Sequence, residues 1–161
     1  RHHTMRQTLP VLVNNYTVYI VAFGMADLSG VTIEAPRIGI CAHDISLEGS
    51  KLDATGRGCV SDEGIGAGAG RATCSGSGGA HGGQGGFGSA YEQENADDCA
   101  ARATEPYYFG REARYEGSGG GSGVRKGHLG GSGGGIIWLT TPNTIKLSKG
   151  SVFRSRPSKT G

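Results

Sequence analysis

Hydrophobic and polar positions alternate from Leu9 onward. Val11 and Val13, then Val18, Ile20 and Ala22, fall on every second position, the period of a strand. Gly24 and Ser29-Gly30 punctuate the pattern. Val31-Thr32-Ile33-Glu34-Ala35 alternates again and Pro36 closes it. Arg37 to Cys41, Ile45 to Leu47 and Lys51 to Ala54 predict three further short strands. Strands this short, with so little chain between them, join either as antiparallel hairpins or as the stacked rungs of a parallel β-helix.

An internal repeat favours the second arrangement. Ile45-Ser46-Leu47-Glu48-Gly49-Ser50-Lys51-Leu52 matches Ile145-Lys146-Leu147-Ser148-Lys149-Gly150-Ser151-Val152-Phe153, with one extra residue before the second glycine. Upstream, Val31 to Pro36 matches Ile137 to Pro142. The sequence therefore divides into an N-terminal β-strand unit (1–55), a glycine-rich insert (56–135) and a C-terminal β-strand unit (136–161) that continues the repeat.

The insert has its own period. Gly76, Gly79, Gly82, Gly85 and Gly88 fall on every third position. Gly117, Gly120 and Gly123 hold one such phase, and Gly127, Gly130 and Gly133 another. A flexible linker needs no phase, whereas a polyproline-II-type helix has three residues per turn and would present one bare face to another backbone. Between the strand units and these blocks, Gly64 to Gly70 alternates glycine with period two, which predicts a strand with one bare face. The expected fold is all-β: short parallel, β-helix-like strands with glycine-rich polyproline-II-type segments packed beside them.

Composition limits the function. Glycine supplies 32 of 161 residues, far above the usual ~7%. The hydrophobic fraction is 35%, so the expected core is slender. A net charge of +2, with only short basic runs at the two ends, argues against nucleic acid as a partner. The run Leu9 to Leu28 is broken by Asn14, Asn15, Thr17 and Asp27 and is no membrane span. Cys41, Cys59, Cys74 and Cys99 are even in number and lack zinc-site spacing, so two disulfides in an oxidising compartment are expected, with three pairings open. Asn15-Tyr16-Thr17 is a glycosylation sequon. These features point to an extracellular or cell-surface location and to a segment of a longer secreted chain.

Candidate chemistry is sparse. The Gly-Ser runs lack the Gly-Lys-Ser/Thr of a phosphate loop, and the acidic stretch Glu92, Glu94, Asp97 and Asp98 lacks EF-hand spacing. His81 and His128 sit among glycines, where a bond to a carbonyl or to solvent explains them better than a metal. Glu34, Asp44 and Asp53 lie on neighbouring strands but nothing marks them as a catalytic pair. No cofactor, metal or catalytic residue is assigned. Tyr107 and Tyr108 are candidates for stacking on sugar rings.

The order of motifs carries a resemblance. Asp53-Ala54-Thr55-Gly56-Arg57-Gly58 is followed by Gly78-Gly79-Ala80-His81-Gly82-Gly83-Gln84-Gly85-Gly86, then Gly88-Ser89, then Gly130-Gly131-Ser132-Gly133-Gly134-Gly135-Ile136-Ile137-Trp138-Leu139. This resembles the large glycine-rich cell-surface proteins of plants, algae and protists, over roughly residues 30 to 155. The departure is Ser89-Ala90-Tyr91, where tyrosine follows the Gly-Ser instead of preceding it. The resemblance implies an extracellular structural or adhesive protein with β-helix-like repeats, and no enzyme. The expected function is a self-associating module of a surface filament or matrix. The alternative is a carbohydrate-binding adhesion module.

Overall fold

The computed structural model describes residues 12–13, 16–70, 75–81, 84–86, 105–107, 114–123 and 129–158. Among them are eight strands and no helix. The strands are β1 (Leu12–Val13), β2 (Val18–Asp27), β3 (Thr32–Glu34), β4 (Arg37–Leu47), β5 (Lys51–Asp53), β6 (Ile136–Thr140), β7 (Thr144–Leu147) and β8 (Val152–Arg154). The chain forms two compact units. One comprises residues 1–53 and 137–154, the other residues 54–136 and 155–161. Residues 155–158 thus belong with the glycine-rich unit, although the sequence division joins them to the C-terminal strands.

The first unit holds two parallel sheets. One runs β1-β3-β5-β8; the other runs β2-β4-β6, with β7 also paired to β4. Parallel partners need a connection that returns the chain to its starting end. Here a strand of the other sheet supplies it: β2 separates β1 from β3, β3 separates β2 from β4, and β4 separates β3 from β5. Pairing is in register, Val18 with Ile38, Ile20 with Ile40 and Ala22 with Ala42; it shifts by one residue between Ala22 and Met25, after which Ala26 faces Ile45. The alternation seen in the sequence therefore stacks like on like. Ile33, Ile38, Ile40, Ile45, Leu47 and Leu52 are buried almost completely in one cluster with Val18, Ala26 and Leu28. Each buried branched side chain of this size stabilises the fold by ~1.5–3 kcal/mol.

Glycine–serine corners also stack. Gly30, Gly49 and Gly150 take positive φ of 71°, 63° and 104°, the left-handed region that glycine enters without a Cβ penalty. Gly30 N–H donates to the Glu48 carbonyl at 2.8 Å and Leu28 N–H to the Ser46 carbonyl at 3.0 Å. Ser50 Oγ, 1% exposed, donates to the Leu28 carbonyl, and Ser151 Oγ repeats this at Leu47.

The downstream half of the sequence repeat is a true register match. Ile45 faces Ile145, Leu47 faces Leu147, and Leu52 faces Phe153 across the one-residue insertion. The strands on either side of the glycine-rich unit thus pair with each other directly. The upstream half is a correction. Ile137 to Leu139 lies in β6, beside β4, whereas Val31 to Glu34 leads into β3 of the other sheet. Trp138 explains the placement: its ring lies over Gly39 of β4, where no other residue leaves room. The two short strands expected from Arg37 to Leu47 are one continuous strand.

Candidate functional site

In the glycine-rich unit main-chain hydrogen bonds replace strands. Cys59 and Asp62 donate to the carbonyls of Gly117 and Gly120, and Gly117 and Gly120 donate in turn to those of Gly134 and Gly131, at 2.8–3.1 Å. Ser77 and Ala80 donate to Ala69 and Gly66 at 3.2 and 2.7 Å. Each pair steps by three residues on both segments. Gly121 N–H reaches Ser77, and Gly68 N–H reaches Gly119. These bonds satisfy groups that have no sheet ladder.

Closeness of the backbones explains the glycines. A Cβ on Gly76 would overlap the Gly121 carbonyl, one on Gly130 the Gly120 carbonyl, and one on Gly133 the Gly117 carbonyl. At Gly79 it would lie 2.7 Å from the carbonyl oxygens of Ser118 and Gly119, and at Gly117 3.0 Å from Gly134 N. Gly120 has room, with its nearest atom at 3.5 Å. Gly85 and Gly123 also lie in this unit. Gly82, Gly88 and Gly127 lie outside the described residues, as do Asn15, Cys74, Cys99, Tyr108 and His128. The three-residue phase did not mark Gly58, Gly119, Gly121 or Gly134, which are packed as tightly. Gly64 to Gly70 forms no strand, and its glycines meet Tyr107, Ser77 and Ser122 instead.

The serines among the glycines went unread in the sequence, yet each joins two segments. Ser61 Oγ donates to the Gly120 carbonyl at 3.1 Å and accepts from Gly130 N–H at 2.8 Å. Ser77 Oγ accepts from Ala69 N–H, Ser118 Oγ from Gly66 N–H and Ser158 Oγ from Ser132 N–H, at 2.8–3.0 Å. Asp62, in the left-handed region at φ 63°, accepts from Ser122 through both its N–H and its hydroxyl. The Ser122 hydroxyl, then its N–H, hold the Asp62 carboxyl below the usual carboxylate range.

Tyr107 is engaged within the fold. Its hydroxyl donates to the Glu116 carbonyl at 2.9 Å and lies 2.7 Å from His81 Nδ1 and 3.3 Å from Ser118 Oγ. Since the phenol has one proton, His81 carries its own on Nδ1. The Tyr107 ring meets His81 and Tyr115 edge-on, and Gly66 leaves room for it. Two adjoining cavities open nearby, of ≈310 and ≈460 Å³, sharing Gly79, Ser118 and Pro157 in their walls.

The carboxylates of the strand unit separate into two sets. Lys51 Nζ bridges Glu34 Oε1 at 2.8 Å and Asp53 Oδ2 at 3.1 Å, with Arg154 4.0 Å from the same Asp53 oxygen. Bonds to Glu34, then to Asp53, raise the Lys51 pKa. Asp44 lies in the other sheet, between His43 Nδ1 at 3.0 Å and Asn143 Nδ2 at 2.8 Å, and the His43 bond lowers its pKa. These carboxylates bridge strands. Among the described residues no group of three or more His, Cys, Asp or Glu side chains is placed to hold a metal ion, and no helix is long and apolar enough to cross a membrane.

Cys41 is half-buried on β4 with a free thiol, so the bridge expected there is absent; its in-register neighbour on β2 is Val21. Cys59 is half-buried in the glycine-rich unit. No protein-family model, curated protein or solved structure matches the chain.

Proposed function

We propose that this chain is an extracellular structural module that assembles end to end through its parallel strands. The observation that carries the reading is the last layer of the core. Ile45, Leu47 and Leu52 are at most 1% exposed, whereas their register partners Ile145, Leu147 and Phe153 are 39%, 57% and 38% exposed. These three repeat the core positions of the preceding strands, and a further parallel layer would bury them likewise. Unpaired strand edges favour such addition. In this reading the strand unit is a short β-helix, and the glycine segments are polyproline-II-type helices whose three-residue turn accounts for the spacing of their hydrogen bonds. In this reading Glu34, Asp53 and Asp44 serve to bridge strands, through Lys51, Arg154, His43 and Asn143.

Sedimentation velocity and electron microscopy of the full chain test this. We expect linear multimers that lengthen with concentration, and their loss in the Leu147→Asp, Phe153→Asp double variant. A monodisperse monomer at the highest attainable concentration would sink the proposal.

A further inference from the structure

We infer that the exposed β7–β8 end binds the β2–β3 edge of a second copy of this chain, with β7 pairing to the partner's β2 and β8 to the partner's β3 in the register that the stack already keeps. The inference rests on the end-to-end reading and names the surface, the register and the charges of its contact.

The order of strands shows which position is open. Strands alternate between the two sheets along the chain, and β6 and β7 share the edge of β4 that β2 does not use. One sheet is therefore a strand deeper than the other. The next position lies beside β7, where Ile145 and Leu147 are exposed. Ala26, Ile45 and Ile145 share one column of this sheet, and Asp27, Ser46 and Lys146 share the next. A second copy that continues these columns sets the partner's Ala26 against Ile145 and the partner's Asp27 against Lys146. In the other sheet Ile33, Leu52 and Phe153 share a column, as do Glu34, Asp53 and Arg154. With β2 beside β7, the partner's β3 follows beside β8. Phe153 then meets the partner's Ile33, and Arg154 meets the partner's Glu34. In this contact β8 takes the place against β3 that β1, a strand of two residues, holds in the single chain.

Charge favours this pairing over any other of the two ends. Residues 12–36 carry Asp27 and Glu34 and no Lys, Arg or His, whereas residues 136–154 carry Lys146, Lys149 and Arg154 and no Asp or Glu. Asp27 and Lys146 are exposed, and the Arg154 side chain, 4.0 Å from Asp53, is 46% exposed. Either end placed against its own kind would oppose like charges, which disfavours that contact; head to tail, acid meets base at both columns. At Glu34 the incoming Arg154 would extend the ladder that Lys51 begins at 2.8 Å.

The test is a zero-length cross-link. Carbodiimide, which joins a carboxylate to an amine with no spacer, is applied to an equimolar mixture of unlabelled and isotope-labelled full chain, and the linked peptides are identified by mass. Within one chain β4 stands between Asp27 and Lys146, so a link that joins a labelled to an unlabelled peptide reports the contact between copies. We expect that mixed link between Lys146 and Asp27. We also expect Asp27→Lys and Lys146→Asp each to weaken multimer formation ~10-fold or more, through like charges brought together. An equimolar mixture of the two variants should restore it, because every contact in an alternating multimer again pairs acid with base. Multimers without the mixed link, a mixed link from Lys146 to another carboxylate in its place, or folded variants whose mixture assembles no better than either alone would each overturn the register and leave end-to-end assembly standing. A wild-type chain that stays monomeric would overturn both. The cross-link is read on the unaltered chain, so it decides the matter should a variant fail to fold.

Discussion

Gly39 lies directly beneath the indole of Trp138. A Cβ at this position would overlap the six-membered ring of that indole and lie 2.5 Å from Tyr19 Cδ2. The two aromatic rings, 5.9 Å apart and tilted by 35°, close over the bare position from the strands on either side. Gly39→Ala must therefore move Trp138. Overpacking of this kind costs ~1–3 kcal/mol. Trp138 is the only tryptophan, so its fluorescence reports the change alone. A red-shifted emission maximum and a lower melting temperature are expected. An unchanged spectrum would show that the ring is not seated on Gly39.

The stacked serine corners supply a second prediction. Ser50 Oγ is buried and donates to the Leu28 carbonyl, 22 residues earlier in the chain. Ser50→Ala removes one internal bond and leaves a buried carbonyl short of it, although Val31 N–H still reaches that oxygen at 3.1 Å. The expected loss is ~1 kcal/mol in denaturant unfolding. Ser29→Ala makes the contrast: its hydroxyl bonds only the exposed Asp27 carboxylate, and the effect should be within ~0.5 kcal/mol.

Glycines divide into those that must be glycine and those that need not. Gly76→Ala and Gly133→Ala each drive a methyl into a neighbouring carbonyl and should cost ~1–3 kcal/mol or more. Gly24 and Gly86 have nothing within 4 Å of an added Cβ and no positive φ. Alanine there should leave stability unchanged or raise it by up to ~1 kcal/mol, because the unfolded chain loses freedom. Thermal melts of the four variants check this. Similar melting temperatures for all four would mean that the backbones at Gly76 and Gly133 are not packed closely against their neighbours.

Much of this architecture was legible in the alternation of residues. Val18, Ile20 and Ala22, and then Ile38, Ile40 and Ala42, mark buried faces because a strand's period of two is fixed by backbone geometry. The pairing of Leu52 with Phe153 was legible because the Gly-Ser corner before each keeps its place. The position of β6 was not. It depends on Trp138 finding the space above Gly39, a tertiary fit that no local pattern encodes. The serines were missed for a related reason. A hydroxyl that accepts from a segment 52 residues away, as Ser118 does from Gly66, has no signature beyond its composition, and beside glycine it looks like a linker. Cys41 was misjudged because an even cysteine count speaks to compartment and says nothing about which side chains face each other.

Acid should loosen the glycine-rich unit at Asp62. Its carboxylate takes bonds from the Ser122 hydroxyl and N–H, and the Ser61 hydroxyl, 3.2 Å away, shares its one proton between this carboxylate and the Gly120 carbonyl. The Ser122 hydroxyl, followed by the Ser122 N–H, lowers the folded-state pKa. A depressed carboxyl pKa contributes stability that is fully present above the unfolded value, near ~3.9, and is lost as pH falls through the lower folded value. Asp62→Asn removes the charge at every pH. The variant should therefore melt below the wild type at neutral pH, and the gap should close as pH falls below ~4. Salt bears little on the result, because the partners of the carboxylate are dipoles rather than charges. Melts of both proteins from neutral to acid pH decide the matter. A gap that stays constant across that range would mean that the Asp62 carboxylate is not what ties Ser122 to the turn at residues 61–62.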